Sequence, residues 1–156
     1  MEPMEQGKRQ EEPSFKDEEK LFRRFPPSFQ REPLATSIRF DEPPSFCRSR
    51  FALPEDTIHP NCADGQDVSQ FGVFAIPVVA ARMTIVDRSR GAVYHFEPRH
   101  RPEPFCYAHT EVHCLRQADS DESGVSNGHS EPPKAVRNQF RTKIATALVE
   151  VIRPRF

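Results

Sequence analysis

The 156-residue chain contains no tryptophan, and its two tyrosines are Tyr94 and Tyr107. It has only six glycines, too few for the glycine-rich loops that bind phosphate. No Gly-x-Ser-x-Gly stretch is present, so the nucleophile motif of the α/β-hydrolases is missing. These absences remove phosphate-binding loops and serine-hydrolase chemistry from the candidate functions.

Long apolar runs are missing too. The longest, residues 73–81, is interrupted by Pro77 and falls short of the roughly 20 residues that a membrane helix needs. Charged residues follow Met1 closely, whereas a signal peptide would need an apolar segment there. We therefore expect a cytoplasmic or otherwise intracellular protein without a membrane segment. In that compartment the four cysteines are expected to be reduced thiols: Cys47, Cys62, Cys106 and Cys114.

The first fifty residues differ in composition from the rest of the chain. Nine of the sixteen prolines occur by Pro60, and charged residues are mixed in without a sustained period. This composition favours an extended or disordered segment over a packed core. We therefore expect two regions, an N-terminal arm over residues 1–50 and a compact domain over residues 51–156.

The N-terminal arm is nevertheless rich in phenylalanine. Pro-Ser-Phe occurs at residues 13–15, 27–29 and 44–46, and Arg-Phe follows each copy at 24–25, 39–40 and 50–51. Prolines stiffen such a segment, while phenylalanine rings supply apolar area for docking. The pattern indicates anchors for a partner protein; packing on the chain's own sheet and chance recurrence are the alternatives. The candidate partner-binding residues are Phe15, Phe25, Phe29, Phe40 and Phe46.

The compact domain is predicted to be α+β, with an antiparallel meander of about four strands. Strands are expected near residues 68–76, 78–87, 92–97 and 106–116, followed by a mobile acidic loop over 117–130. A C-terminal amphipathic helix should then cover one face of the sheet. Its apolar stripe is Val136, Phe140, Ile144, Ala147, Leu148 and Val151. The β-branched residues in 149–152 leave a strand as the alternative for the last turns.

Histidine and glutamate alternate in two of the predicted strands. His95 and Glu97 lie two residues apart, as do His109 and Glu111, and residues i and i+2 share one face of a strand. If residues 95 and 109 were cross-strand partners, their side chains would meet. The four residues would then offer ligands for a divalent ion such as zinc, manganese or iron.

A metal-dependent hydrolytic domain is therefore one alternative function, with Glu97 and Glu111 as candidate acid–base catalysts. A solvated polar sheet face is the simpler interpretation of the same residues.

The C-terminal segment suggests a third function. Residues 134–156 carry six Lys or Arg against Glu150 alone, whereas the whole chain has a formal charge of −1. Lys134, Arg137 and Arg141 lie on one side of the predicted helix, so a nucleic-acid-binding accessory subunit is an alternative. The sequence favours a non-enzymatic interaction protein that docks to a partner through the N-terminal arm.

Overall fold

The computed structural model describes residues 10–26, 38–58, 71–103, 106–118 and 128–152. These residues form a single antiparallel sheet with three helices, so the α+β class is confirmed. The strands are β1 (Lys20–Phe25), β2 (Ser45–Arg48), β3 (Gly72–Pro77), β4 (Thr84–Asp87), β5 (Ala92–His100), β6 (His109–Ala118) and β7 (Glu150–Ile152). The helices are α1 (Pro54–Ile58), α2 (Val78–Ala81) and α3 (Lys134–Thr146).

The sheet has seven strands in the order β4-β5-β6-β2-β1-β3-β7, so the expectation of about four strands is wrong. Three neighbouring strands of the predicted meander, β4–β5–β6, are present, but β3 lies away from β4 and the first half of the strand predicted over 78–87 forms α2. The strands β1 and β2 were not predicted; they come from the N-terminal arm and lie in the middle of the sheet. Leu21 and Phe25 of β1 are buried in the main core, and this burial explains why the segment pairs rather than remaining extended in solvent.

Buried side chains cover both faces of the sheet. The main core lies beneath α3, whose Val136, Phe140 and Ile144 are fully buried. A smaller cluster on the opposite face contains Phe22, Cys47, Val73, Ala75 and Ala108. Because β1 lies in the middle of the sheet, its side chains pack against other residues on both faces. It therefore does not show the simple alternation of apolar and polar residues that a strand with one solvated face has.

The helix α3 is shorter than the apolar stripe predicted. It ends at Thr146, and the chain then forms β7, which pairs antiparallel with β3 at the edge of the sheet. Val151 accordingly lies on an edge strand and is partly exposed. The β-branched residues near the end thus adopt the strand alternative, which suits their preference for a pleated surface.

Two further expectations concern the loop predicted over 117–130 and the absence of a membrane helix. β6 continues to Ala118, so the first two residues of the predicted 117–130 loop belong to a strand, while 119–127 lie outside the description. None of the described helices is long and apolar enough to cross a membrane.

Candidate functional site

The register between β5 and β6 places His95 and His109 far apart, although the sequence was expected to make them cross-strand neighbours. His95 lies opposite Leu115, Glu97 opposite His113, and Arg99 opposite Glu111. His109 pairs instead with Cys47 of β2. Since position 115 lies six residues beyond position 109 in β6, the two imidazoles are about 20 Å apart along the strand. The expected cross-strand pairing of His95 with His109 is wrong.

His95 and Glu97 do share one face of β5, as predicted, but each is held by a neighbour. The ring nitrogens of His95 lie 3.2 Å from Thr84 Oγ1 and 3.1 Å from Gln117 Oε1. Glu97 forms an ion pair with Arg99 at 2.6 Å. These contacts describe a polar sheet face with paired side chains.

Glu111 lies between two histidines of its own strand. Its carboxylate is 2.9 Å from His113 Nε2 and 3.4 Å from His109 Nε2, and His109 Nδ1 lies 2.8 Å from Glu103 Oε1. Burial lowers the pKa of His113, although its hydrogen bond with Glu111 opposes that shift. In the described ranges no group of three or more His, Cys, Asp or Glu side chains is arranged to hold a metal ion.

The phenylalanines predicted to dock on a partner lie inside the protein. Phe25, Phe40 and Phe46 are buried in the main core, and Phe15 packs against that core. Phe40 contacts Phe96 and Phe140 at ring-centroid distances of 6.1 and 5.1 Å. For these four residues the partner-docking prediction is corrected to self-packing, the alternative that the sequence left open. Phe29 lies outside the described residues.

Two of the three basic residues predicted to contact nucleic acid bind their own chain. Arg141 donates from Nε and Nη2 to the Ile38 carbonyl at 3.1 and 2.7 Å, and Arg137 contacts Glu131 at 3.3 Å. Lys134 is exposed at the start of α3. The nucleic-acid alternative remains a prediction, with Lys134 as its most accessible residue.

A groove opens where β1 and β2 separate. These strands pair only at Leu21 with Arg48 and at Phe22 with Cys47, while β1 continues beside β3 and β2 beside β6. Arg23 bridges the gap, because its Nη1 donates to the Ser45 carbonyl at 2.8 Å. The local split in the sheet therefore places an arginine side chain where a backbone ladder would otherwise run.

The groove has a volume of about 640 Å³. Most of its lining comes from the N-terminal arm, with further contributions from α1, from the residue before β3, and from the turn that leads into β6 together with its first residue. The lining residues are Arg23, Arg24, Pro26, Arg39, Asp41, Glu42, Pro43, Pro44, Ser45, Phe46, Cys47, Thr57, Phe71, Glu103, Cys106 and His109. Arg39, Asp41 and Glu42 are exposed at its rim.

Arg23 is a desolvated cation within this groove. Its guanidinium lies 5.6 Å from the centre of the Phe46 ring, and its Nε is buried without a hydrogen-bond acceptor. Burial lowers the pKa of Arg23 to about 10, with the charge of Arg24 adding to the effect. The side chain stays protonated at neutral pH, and in the part of the chain that the structure describes it has no carboxylate partner.

Two thiols lie in the same groove. Cys47 Sγ and Cys106 Sγ are 3.9 Å apart; Cys47 is buried and Cys106 is partly exposed. The sulfur contact lowers the pKa of Cys106, aided by the backbone N–H groups of Ala108 and His109, and raises the pKa of Cys47. The two thiols are thus in hydrogen-bonding contact, and either sulfur can be the donor.

Sequence reasoning missed the groove because its parts are far apart in the chain. Arg23 and Cys47 gave no local motif, and Cys106 was identified only as one of four cysteines. The repeated Pro-Ser-Phe and Arg-Phe stretches in the N-terminal arm were the available signal, since some of their residues line the groove. Comparisons with known protein families, with curated proteins and with solved structures find no match for this chain.

Proposed function

We propose that this protein is a non-enzymatic interaction protein, and that the groove between β1 and β2 binds a short extended segment of a partner protein. The segment would carry an aspartate or glutamate side chain at its centre, flanked by uncharged or basic residues. The observation that carries this proposal is the buried Nε of Arg23, a hydrogen-bond donor that finds no acceptor among the described residues.

The size and lining of the groove support a ligand of this kind. A volume of about 640 Å³ falls within the range of sites that bind small ligands, which is roughly 300–1,000 Å³. Proline and phenylalanine side chains of the lining supply apolar contact area beside Arg23. An extended segment fits because the groove lies where β1 and β2 no longer pair, beyond Phe22 and Cys47.

The positive charge of Arg23 is the reason for placing a carboxylate at the centre of the bound segment. A buried guanidinium without a counter-charge costs free energy, and a bound carboxylate would supply two charge-assisted hydrogen-bond acceptors. Glu103 does not meet this need, because its carboxylate is engaged by His109 at 2.8 Å. The exposed Asp41 and Glu42 at the rim favour uncharged or basic residues on either side of the acidic one.

In this function the N-terminal arm still supplies the recognition surface, but as part of the folded sheet. The arm does not extend its phenylalanines toward a partner; it folds into the sheet and lines the groove with arginines and prolines. Recognition would then require the folded protein, whereas a flexible docking arm would bind as an isolated peptide.

The experiment measures binding of two fluorescein-labelled peptide pools by anisotropy. The pools are randomised identically except at the central residue, which is Glu in one and Gln in the other. We expect the Glu pool to bind more tightly, by roughly tenfold to a hundredfold, because a hydrogen bond to a charged group contributes about 1.5–3 kcal/mol. The preference should decrease as salt is raised.

Two variants with the same loss of charge serve as the test pair. Arg23→Gln should abolish the preference for the Glu pool, whereas Arg88→Gln, in the exposed turn before β5, should preserve it. Circular dichroism establishes that both variants fold. Equal binding of the two pools by the wild-type protein, or competition by free acetate as strong as by the peptides, would contradict the proposal.

A further inference from the structure

The two groove thiols belong to different parts of the chain that the sheet brings together. Cys47 lies in β2, one position from the end of the strand, and Cys106 lies in the turn that precedes β6. Their sulfurs are 3.9 Å apart. A disulfide needs a sulfur separation of about 2.05 Å, so a closing movement of roughly 1.9 Å would join them. The backbone nearby is tied by the Arg48 N–H, which donates to the Ala108 carbonyl at 3.0 Å.

The two sulfurs are also chemically unequal. Cys106 is partly exposed in the groove, and the backbone N–H groups of Ala108 and His109 stabilise its thiolate. Cys47 is buried behind it, and its pKa is raised. An accessible thiol whose pKa is lowered, beside a buried thiol whose pKa is raised, is the arrangement in which the first attacks an external disulfide as its thiolate and the second resolves the product.

We propose that Cys47 and Cys106 form a thiol–disulfide exchange site whose oxidant is a small-molecule disulfide such as oxidised glutathione. This inference does not depend on the proposed peptide binding. The Cys106 thiolate attacks one sulfur of oxidised glutathione, forming a mixed disulfide and releasing one glutathione thiolate. That thiolate takes the proton of Cys47. The Cys47 thiolate then attacks the Cys106 sulfur, forming the intramolecular disulfide and releasing the second glutathione thiolate, which is protonated by water.

The reaction is balanced with respect to electrons. Two protein thiols are oxidised to one disulfide, and one oxidised glutathione is reduced to two glutathione molecules. The proton first lost by Cys106 to solvent is returned when the second glutathione thiolate is protonated. No further co-reactant is required.

The test equilibrates the full-length protein with glutathione buffers of increasing oxidised fraction, followed by acid quenching, alkylation of the remaining thiols and peptide mass spectrometry. We expect a peptide pair linked through Cys47 and Cys106, formed reversibly as the buffer ratio changes. Cys114 should remain reduced, because burial raises its pKa to about 12. Its alkylation in the folded protein should be slower than that of Cys106 by at least about a hundredfold.

Single variants separate the two steps. Cys47→Ser should trap Cys106 as a stable mixed disulfide with glutathione, and Cys106→Ser should leave Cys47 unmodified; Cys47→Ala replaces Cys47→Ser if the buried hydroxyl prevents folding. A Cys62→Ser variant should form the same disulfide as the wild-type protein. Two results would overturn the proposal: no linkage between Cys47 and Cys106 at any glutathione ratio, or linkage of Cys106 to a different cysteine.

Discussion

Arg48 and Glu19 form a bidentate ion pair in the interior of the protein. Nε and Nη2 of Arg48 donate to the two carboxylate oxygens of Glu19 at 2.8 and 2.9 Å, and the two side chains are 0% and 7% exposed. Arg48 also donates to the carbonyls of Glu12 and Ser14 at 2.6 and 2.7 Å, and Phe15 covers its guanidinium. One residue at the end of β2 therefore fixes the chain that leads into β1.

Removing the Arg48 side chain should strongly destabilise the protein. Arg48→Met would leave the Glu19 carboxylate buried without its counter-charge, and we expect a loss of about 3–5 kcal/mol in the free energy of unfolding, measured by urea denaturation. Lys20→Met provides the matched control, because the Lys20–Glu150 pair is 45% and 36% exposed and such pairs contribute at most about 1 kcal/mol. Equal losses in the two variants would show that the Arg48 pair is not buried.

Phe40 should behave as a core residue and not as a surface anchor. Its ring packs edge-on against both Phe96 and Phe140 in the main core, so Phe40→Ala is expected to cost about 3–5 kcal/mol of unfolding free energy. Leu53→Ala is the comparison, since Leu53 is 66% exposed and its truncation should change stability by less than about 0.5 kcal/mol. A stable Phe40→Ala protein would restore the docking interpretation of this residue.

Gly72 lies at a close approach between strands. A Cβ at this position would contact the Phe25 ring, with Cε1 at 2.7 Å, and the Ile152 carbonyl oxygen at 2.8 Å. Gly72→Ala should therefore lower the melting temperature, with an overpacking cost of about 1–3 kcal/mol. Gly128→Ala meets no atom within 4 Å and should be tolerated. If both variants melt at the wild-type temperature, the packing of β1 against β3 is incorrect.

Acidification should destabilise the protein through His100. This buried imidazole accepts the Glu12 N–H at Nδ1 and donates from Nε2 to the Tyr107 carbonyl. Desolvation lowers the pKa of His100 despite the opposing hydrogen bond to Tyr107. The unfolded state, with a pKa near 6.5, therefore binds the proton first. The neutral His100 side chain therefore stabilises the folded protein fully above the pKa of the unfolded state, and this contribution is lost as the pH falls toward the folded-state pKa.

Urea unfolding at several pH values between about 7.5 and 5.5 measures this dependence. The decrease in unfolding free energy should be smaller in His100→Gln, and smaller again when His113→Gln is added, because burial lowers the pKa of His113 as well. An unchanged pH dependence in the double variant would contradict the assignment.

The sequence predicted the parts of the fold that depend on local periodicity. Alternation in β5 predicted that His95 and Glu97 share one face, and in the structure Tyr94 and Phe96 lie buried on the other. The helical period of α3 identified Val136, Phe140 and Ile144 as buried. Both patterns repeat over enough residues to outweigh the local propensity of any single one.

Register was not predictable, because it depends on where the β5–β6 hairpin turns. Glu103 and Cys106 form the bridge at the turn, so β5 extends through Pro98, which the sequence placed in a loop. The proline is tolerated for a geometric reason. Phe96 N–H donates to Met83 at one edge of β5, and the nitrogen two residues later faces the same edge beyond the last β4 pair, Thr84 with His95. No ladder bond is lost there.

The strands β1 and β2 could not be predicted from the composition of the N-terminal arm. Frequent prolines and charges predict an extended chain, yet the charge that matters most, Arg48, is neutralised by Glu19 twenty-nine residues earlier. A pairing over that distance leaves no local period. For the same reason the groove between β1 and β2 could not be inferred before the sheet order was known.

Hydrogen exchange over β1 and β2 tests most directly whether the N-terminal arm builds the centre of the sheet and thereby the groove. If it does, the amides of residues 20–25 and 45–48 should exchange as slowly as those in the paired parts of β5 and β6, because central strands open only with global unfolding. Exchange of the N-terminal amides at unprotected rates, while β5 and β6 stay protected, would contradict the account.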